Sequence, residues 1–211
     1  MIFEEHSELE GKHAVFAPSS PHWLRYDADR LINYYINSCA ASIGTSLHEL
    51  AARLIKNELT LKKTDTSFVS FHLLEAGFDK KMIRRFIGPF FPMFRTYVND
   101  AIDLHMQAEV KLYFSELFFG TADAIQFYDN EHLLRIHDLK TGTTPAKMEQ
   151  LETYAALFCL QHKQDPLSIK IELRLYQGEE VLVHVPDPSN IRQICDTIVQ
   201  QNKILTDFIE G

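Results

Sequence analysis

Three short stretches of the chain bring together residue types able to do phosphoryl chemistry: Gly120-Thr-Ala-Asp123, Asp138-Leu-Lys140 and Gln150-x-x-x-Tyr154. Two carboxylates side by side repel and raise each other's pKa. A lysine offsets part of that repulsion, and a hard divalent cation bound through oxygen offsets more of it. Such a cation polarises a phosphoryl oxygen and lowers the pKa of a bound water. Lys140 would then orient that water or neutralise charge on the pentacovalent phosphorus. This is the minimum set for metal-dependent phosphodiester hydrolysis.

The acid-x-Lys spacing alone carries little weight. With 29 acids and 12 lysines, about 1.6 such pairs arise by chance, and the chain has four: Glu10/Lys12, Asp79/Lys81, Glu109/Lys111 and Asp138/Lys140. The first lies in an acidic leader and the second at a helix start, where surface charge is ordinary. Asp138/Lys140 instead ends an apolar strand, His132–Lys140, and a period of two puts both side chains on one face. The preceding strand, Leu117–Tyr128, returns across an Asp129-Asn130 turn, so residues whose numbers add to about 260 face each other. Asp123 and Asp138 meet that condition. His137 points the other way, as a core histidine.

The remaining elements follow from periodicity and punctuation. Ala17–Trp23, with two prolines and two serines, reads as turns before a helix start. Leu31, Ile32, Tyr35 and Ile36 mark a helix over Asp27–Asn37. Gly44-Thr45-Ser46 reads as a break and cap, followed by a helix striped by Leu47, Leu50, Ala51, Leu54 and Ile55, with His48 and Glu49 in its first turn. Ser67–Glu75 is a helix ended by Gly77. Asp79–His105 is helical in pattern but broken by Pro89 and Pro92. Strands are expected at Ala108–Ser115, Leu167–Tyr176 and Val181–Val185, and helices at Lys147–His162 and Asn190–Ile209. The class is α/β (α+β), an antiparallel meander feeding a helix. Residues 1–211 read as one domain, mainly helical over 1–106, with the sheet and its flanking helices over 107–211.

Composition narrows the classes. At 211 residues and 45% hydrophobic, the chain holds enough apolar material for a real core. No apolar run has the ~20 residues of a membrane helix. The acidic start lacks the apolar stretch of a signal peptide, so a cytoplasmic location is expected and no membrane partner. The net charge of −8 argues against retention on nucleic acid by non-specific charge. Neither GxxxxGK[ST] nor GxGxxG occurs, so ATPase and Rossmann readings have no support. Cys39, Cys159 and Cys195 include no CxxC pair and read as reduced thiols.

Taken in order, Gly44-Thr45-Ser46-Leu47-His48, Asp123, Asp138-x-Lys140 and Gln150-x-x-x-Tyr154 resemble the PD-(D/E)xK nuclease superfamily. Gln150 and Tyr154, together with the early histidine, are similar to its RecB-like branch, which includes CRISPR-associated and phage exonucleases. Pro18-Ser19-Ser20-Pro21-His22-Trp23-Leu24 resembles the start of phage-encoded members. The resemblance runs from about residue 17 to about residue 176.

It implies a restriction-endonuclease-like core, a central mixed β-sheet flanked by helices with a helical N-terminal region. It implies His48, Asp123 and Asp138 as metal ligands with the Leu139 carbonyl, Lys140 as the catalytic lysine, and Gln150 and Tyr154 positioning DNA or the carboxylates. Glu109 matches an extra acid of some members that binds a second metal. The cofactor is Mg2+ or Mn2+, the latter because imidazole suits a transition metal. Thr141, Thr143, Lys147, Arg84 and Arg85 are candidate DNA contacts.

Many relatives hold an iron–sulfur cluster on four cysteines. Here Tyr26-Asp27 stands near the first such position and the three cysteines fall elsewhere, so no cluster is expected. Ala122 replaces the proline of the family's name motif. The expected function is a DNA exonuclease acting on ends or single strands in phage or bacterial recombination or repair, located in the host cytoplasm if phage-encoded. A recombination or replication protein is a candidate partner, and oligomeric state is left open. The rival expectation is an inactive DNA-binding or assembly module with the same fold.

Overall fold

Aspartate side chains cap three of the five helices found among the described residues, which in this computed structural model are 5–11, 13–142 and 146–211. Asp27 accepts the Arg30 N–H at 2.8 Å and opens helix α1, Ala28–Lys56. Asp79 accepts from Lys81 and Met82 and opens α3, Lys80–Asp103. Asp187, with Pro188 in the first turn, opens α5, Pro188–Glu210. Each satisfies amide groups that the first turn of a helix leaves free. The short helix α2, Thr66–Glu75, ends before Gly77, whose φ is +88°. Helix α4 runs Glu149–His162.

Five strands form one sheet in the order β1-β2-β3-β4-β5: Gln107–Ser115, Phe118–Tyr128, Leu133–Lys140, Lys170–Gln177 and Glu180–His184. Neighbours are antiparallel except β3 and β4, which are parallel and joined through α4, so the sheet is mixed. The fold is α/β and matches a restriction-endonuclease-like core. Its β2–β3 ladder has the expected register: Ala124 pairs with His137 and Ile125 with Ile136. The paired residues end there; one step beyond, the same register would set Asp123 opposite Asp138, and the Leu139 N–H donates to Asp123 Oδ2 at 2.9 Å.

Two hydrophobic clusters sandwich the sheet. The second half of α1 packs with α2 and α3 around Leu47, Leu73, Phe94 and Tyr97. On the other face α4 and α5 pack over Leu134, Ile136, Leu173 and Leu175. Each fully buried Leu or Phe contributes about 1.5–3 kcal/mol relative to exposure.

Two expectations are corrected. No break occurs at Gly44: α1 is continuous from Ala28 to Lys56, and Gly44 is buried inside it. A Cβ there would collide with the Thr141 hydroxyl. The glycine serves close approach of the helix to the β3 end, and tertiary packing outweighs its cost of about 1 kcal/mol in a helix. Likewise α3 runs unbroken through Pro89 and Pro92. Both prolines are exposed, so the carbonyls that lose an amide partner face water, and the opposite face (Ile87, Phe91, Phe94) holds the helix in the core. No helix among the described residues is long and apolar enough to cross a membrane.

The cysteines give a test of this packing. Cys159 and Cys195 lie in the α4–α5 cluster, where burial raises their thiols to about 12 and about 11. Cys39 is half-buried on α1. Only thiolate reacts, so a disulfide-exchange reagent should titrate one thiol rapidly in the native chain and all three in denaturant. Rapid native labelling of a Cys39→Ser chain would contradict this packing.

Candidate active site

Strand pairing loosens where the acids gather. Ala108 pairs with Ala124 and Val110 with Ala122, leaving Glu109 across from Asp123 between them. Glu109 has φ +55°, in the left-handed region that is costly for a side-chain-bearing residue. Ala108 and Ala124 pack with α1 and α3, whereas Val110 and Ala122 pack with α4. Strict alternation would keep Ala122 and Ala124 on one face. Both strands therefore turn over at Glu109 and Asp123, and that turn delivers the two acids to α1. Holding a residue in such a conformation costs about 1–3 kcal/mol and is characteristic of functional sites.

There His48 completes a cluster. One ligand-capable atom from each of His48, Glu109 and Asp123 lies within 4.8 Å of the others. His48 Nδ1 is 3.3 Å from Asp123 Oδ2, and the same oxygen accepts the Leu139 N–H at 2.9 Å. Burial by itself would lower the His48 pKa, but Asp123, Asp138 and Glu109 outweigh it and raise it. Imidazole must shed its proton to bind a metal, so a proton and a metal ion compete for one electrostatic well. Burial, then the Asp123 charge, raises the Glu109 pKa as well.

The donors fit a divalent cation. Oxygen ligands sit about 2.0–2.6 Å from such an ion, so two of them lie at most about 4–5 Å apart. Asp138 stands beside this trio rather than within it. It is 2% exposed, and burial followed by the Asp123 charge raises its pKa. Lys140 Nζ lies 3.0 Å from both of its oxygens but donates a well-directed hydrogen bond to Oδ1 alone. Buried Oδ2 thus has a charge beside it and a lone pair still open, a second feature that suits a cation. Leu139 contributes backbone only, its side chain being fully buried.

A relay of side chains leads away from Asp138. Lys140 Nζ donates to Gln150 Oε1 at 2.8 Å, and Gln150 Nε2 donates to the Tyr154 hydroxyl at 3.2 Å. Residues four apart on α4 share a face, and that face meets the β3 end. Tyr154 approaches β2 closely because residue 120 is glycine: a Cβ there would stand 2.7 Å from the Tyr154 ring.

Among the candidate DNA contacts, Thr141 is half-buried against α1 and Lys147 is exposed, 3.9 Å from Glu149. Arg84 and Arg85 are exposed on the first turns of α3, about 20 Å along that helix from Tyr97 at the sheet. They are not brought to the acids. Thr143 lies outside the described residues.

His137 is fully buried on the opposite face, as expected, with Nδ1 3.2 Å from the Tyr176 hydroxyl. Burial lowers its pKa to about 3, so it stays neutral. Its Nε2 has no hydrogen-bond partner among the described residues. A groove of about 540 Å3 between β2, α4 and α5 holds none of the acids in this cluster. A second, of about 490 Å3, opens beside Glu109 and Lys56.

Two features escaped sequence reasoning. One is the contact of Gly44 with Thr141, where a glycine inside a helical stripe was the available signal. The other is the turnover at Glu109, for which alternation offers no sign. No curated protein and no solved structure matches the chain. A family model does, over residues 15–209, and its span takes in the trio, the Asp138–Lys140 pair and the α4 relay. On that extent the chain belongs to the PD-(D/E)XK nuclease superfamily, a group of divalent-metal nucleases, which makes DNA its implied substrate.

Proposed function

We propose that this chain is an exonuclease that hydrolyses DNA from an end or along a single strand, with Mg2+ or Mn2+, in phage or bacterial recombination or repair. The carrying observation is the adjacency of the His48–Glu109–Asp123 donor trio to the Asp138–Lys140–Gln150–Tyr154 relay. Preference for ends, the recombination setting, a cytoplasmic location and a recruiting partner rest on the motif resemblance.

His48, Glu109, Asp123 and Asp138 would hold the metal, with the Leu139 carbonyl as a further donor. The metal supplies a water of lowered pKa and polarises the phosphoryl oxygen. Lys140, fixed between Asp138 and Gln150, presents its ammonium where charge grows on phosphorus. Gln150 holds Lys140 from the α4 side, and Tyr154 holds Gln150. Thr141, Thr143 and Lys147 follow the site in the chain and would contact the DNA backbone. Oxygen donors suit magnesium, and the imidazole makes manganese equally fitting.

End-labelled linear and circular DNA, single- and double-stranded, should be incubated with Mn2+, Mg2+ or EDTA. Metal-dependent loss of linear DNA with sparing of circles is expected. Lys140→Ala and Asp138→Ala should each lower the rate at least ~100-fold. A folded chain inactive with every metal would leave the binding-module alternative.

Metal binding should also appear without DNA. At a hundred times Kd a ligand stabilises by about 2.7 kcal/mol, a rise of roughly 5–10 °C in Tm for a chain of this size. Glu109→Gln and His48→Ala should each remove most of the Mn2+-induced rise, as scanning calorimetry would show. A full rise in both variants would exclude the trio as the binding site.

Gly120→Ala should slow cleavage by displacing Tyr154 and have little further effect in a Tyr154→Ala chain, a coupling read from a double-mutant cycle. Additive losses would mean that Gly120 acts independently of Tyr154.

A further inference from the structure

The first half of α1 is an arm. Its buried residues begin at Ile43, so Ala28 to Ser42 contribute none to the core. What covers this half-helix is a separate group of rings. Tyr34 lies 5.8 Å from Phe16, 5.8 Å from His22 and 5.7 Å from Tyr26, and Trp23 lies 5.7 Å from Phe16. The Arg30 guanidinium stacks 4.2 Å over Tyr26. None of these residues belongs to either core cluster. Phe16, Trp23, Tyr26 and Tyr34 are half-buried, and His22 and Arg30 are exposed, so the group stays partly open to solvent.

Cations gather at the start of α3, the helix whose head comes near the arm. The start of α3 carries Lys80, Lys81, Arg84 and Arg85, all exposed, within a chain of net charge −8. Asp79, at the head of α3, is close enough to Tyr35 on the arm to raise its phenol pKa, behind a larger push from Cys39. The Asp27 and Asp79 carboxylates are occupied as helix caps.

We propose that this arm is a stacking platform for single-stranded DNA on its way to the active site. Partly exposed rings near a run of Lys and Arg are what an unpaired strand requires, because every base has a π-face and every phosphate a charge. The helix continues without interruption to His48. Tyr34 and His48 are 14 residues apart, about 21 Å along the axis, the length of about six stacked nucleotides. The inference rests on the deoxyribonuclease reading and deepens it by naming the form of DNA that is led in.

Trp23 is the sole tryptophan, so its fluorescence reports on the platform directly. The full chain is titrated in EDTA, where no cleavage occurs, with fluorescein-labelled oligothymidylate of about 16 nucleotides, the upper site size of a stacking module, and with a duplex of equal length. Oligothymidylate should quench Trp23 and bind more tightly than duplex. Tyr26→Leu, which keeps an apolar body without the π-face, should weaken binding at least about fivefold, while Tyr26→Phe should not.

Anisotropy that reports binding with Trp23 silent and Tyr26→Leu unaffected overturns the platform and leaves the nuclease reading standing. Absence of binding in a chain that still cleaves with metal does the same. Concentration-dependent self-association, seen by sedimentation and lost in Tyr26→Leu, would assign the arm to a contact between copies and overturn the proposal.

Discussion

Three carboxylates, Glu109, Asp123 and Asp138, converge where β1, β2 and β3 meet α1, and their mutual repulsion is the constraint to which the surroundings answer. Two unit charges at 4.8 Å, the upper bound on separations within the donor trio, repel by about 3.5 kcal/mol at an effective dielectric of 20, less where solvent screens exposed Glu109. The fold meets this in two ways. Basic groups are set against the acids from opposite sides: His48 from α1 beside Asp123, whose charge raises the imidazole pKa, and Lys140 from β3 against Asp138. Proton affinity also rises, so that Glu109 and Asp138 hold protons more tightly than free acids do. A site with proton affinity raised by crowded charge is equally a site with affinity for a cation.

Such crowding persists only because the backbone around it is held on both faces. Buried Leu139 and Ala124 anchor the β2–β3 ends to the α1–α3 layer, and Ala122 anchors β2 to α4. Below the acids, Tyr176 bridges His137 and Asp100 and stacks edge-on against Tyr97 at 5.3 Å. This polar layer ties β3 and β4 to α3 immediately behind Asp138. The left-handed conformation of Glu109 is tolerable in that setting because pairing on either side, Ala108 with Ala124 and Val110 with Ala122, fixes the strand independently of it.

Much of this was legible in the sequence, and what was not has identifiable causes. The strands were recognisable because alternation and turn residues act locally, and the Asp123–Asp138 juxtaposition follows from turn position alone. A site role for Gln150 was accessible only through motif resemblance, which assigned it to DNA or the carboxylates and not to Lys140, since no local rule relates a strand end to a helix ten residues on. Gly44, Pro89 and Pro92 misled because local propensity describes an isolated helix. In the folded chain the Gly44 backbone is wanted against Thr141, and the two prolines face water. The turnover at Glu109 depends on which layer each neighbour packs into, and that is decided by the whole fold.

Helix α1 and helix α4 approach the site from the two faces of the sheet, and in each case a glycine sets how close. Gly44 is on the helix and admits Thr141 from the strand end; Gly120 is on the strand and admits Tyr154 from the helix. A methyl group at either place would collide with Thr141 or Tyr154, so that side chain or its layer must shift at the point where His48 and Gln150 reach the acids. A side chain a few ångströms long cannot span a widened gap and still make contacts such as 3.3 Å to Asp123 or 2.8 Å to Lys140. The chemistry of the acids therefore depends on two residues that have no chemistry of their own, because they fix the distance over which the charges interact.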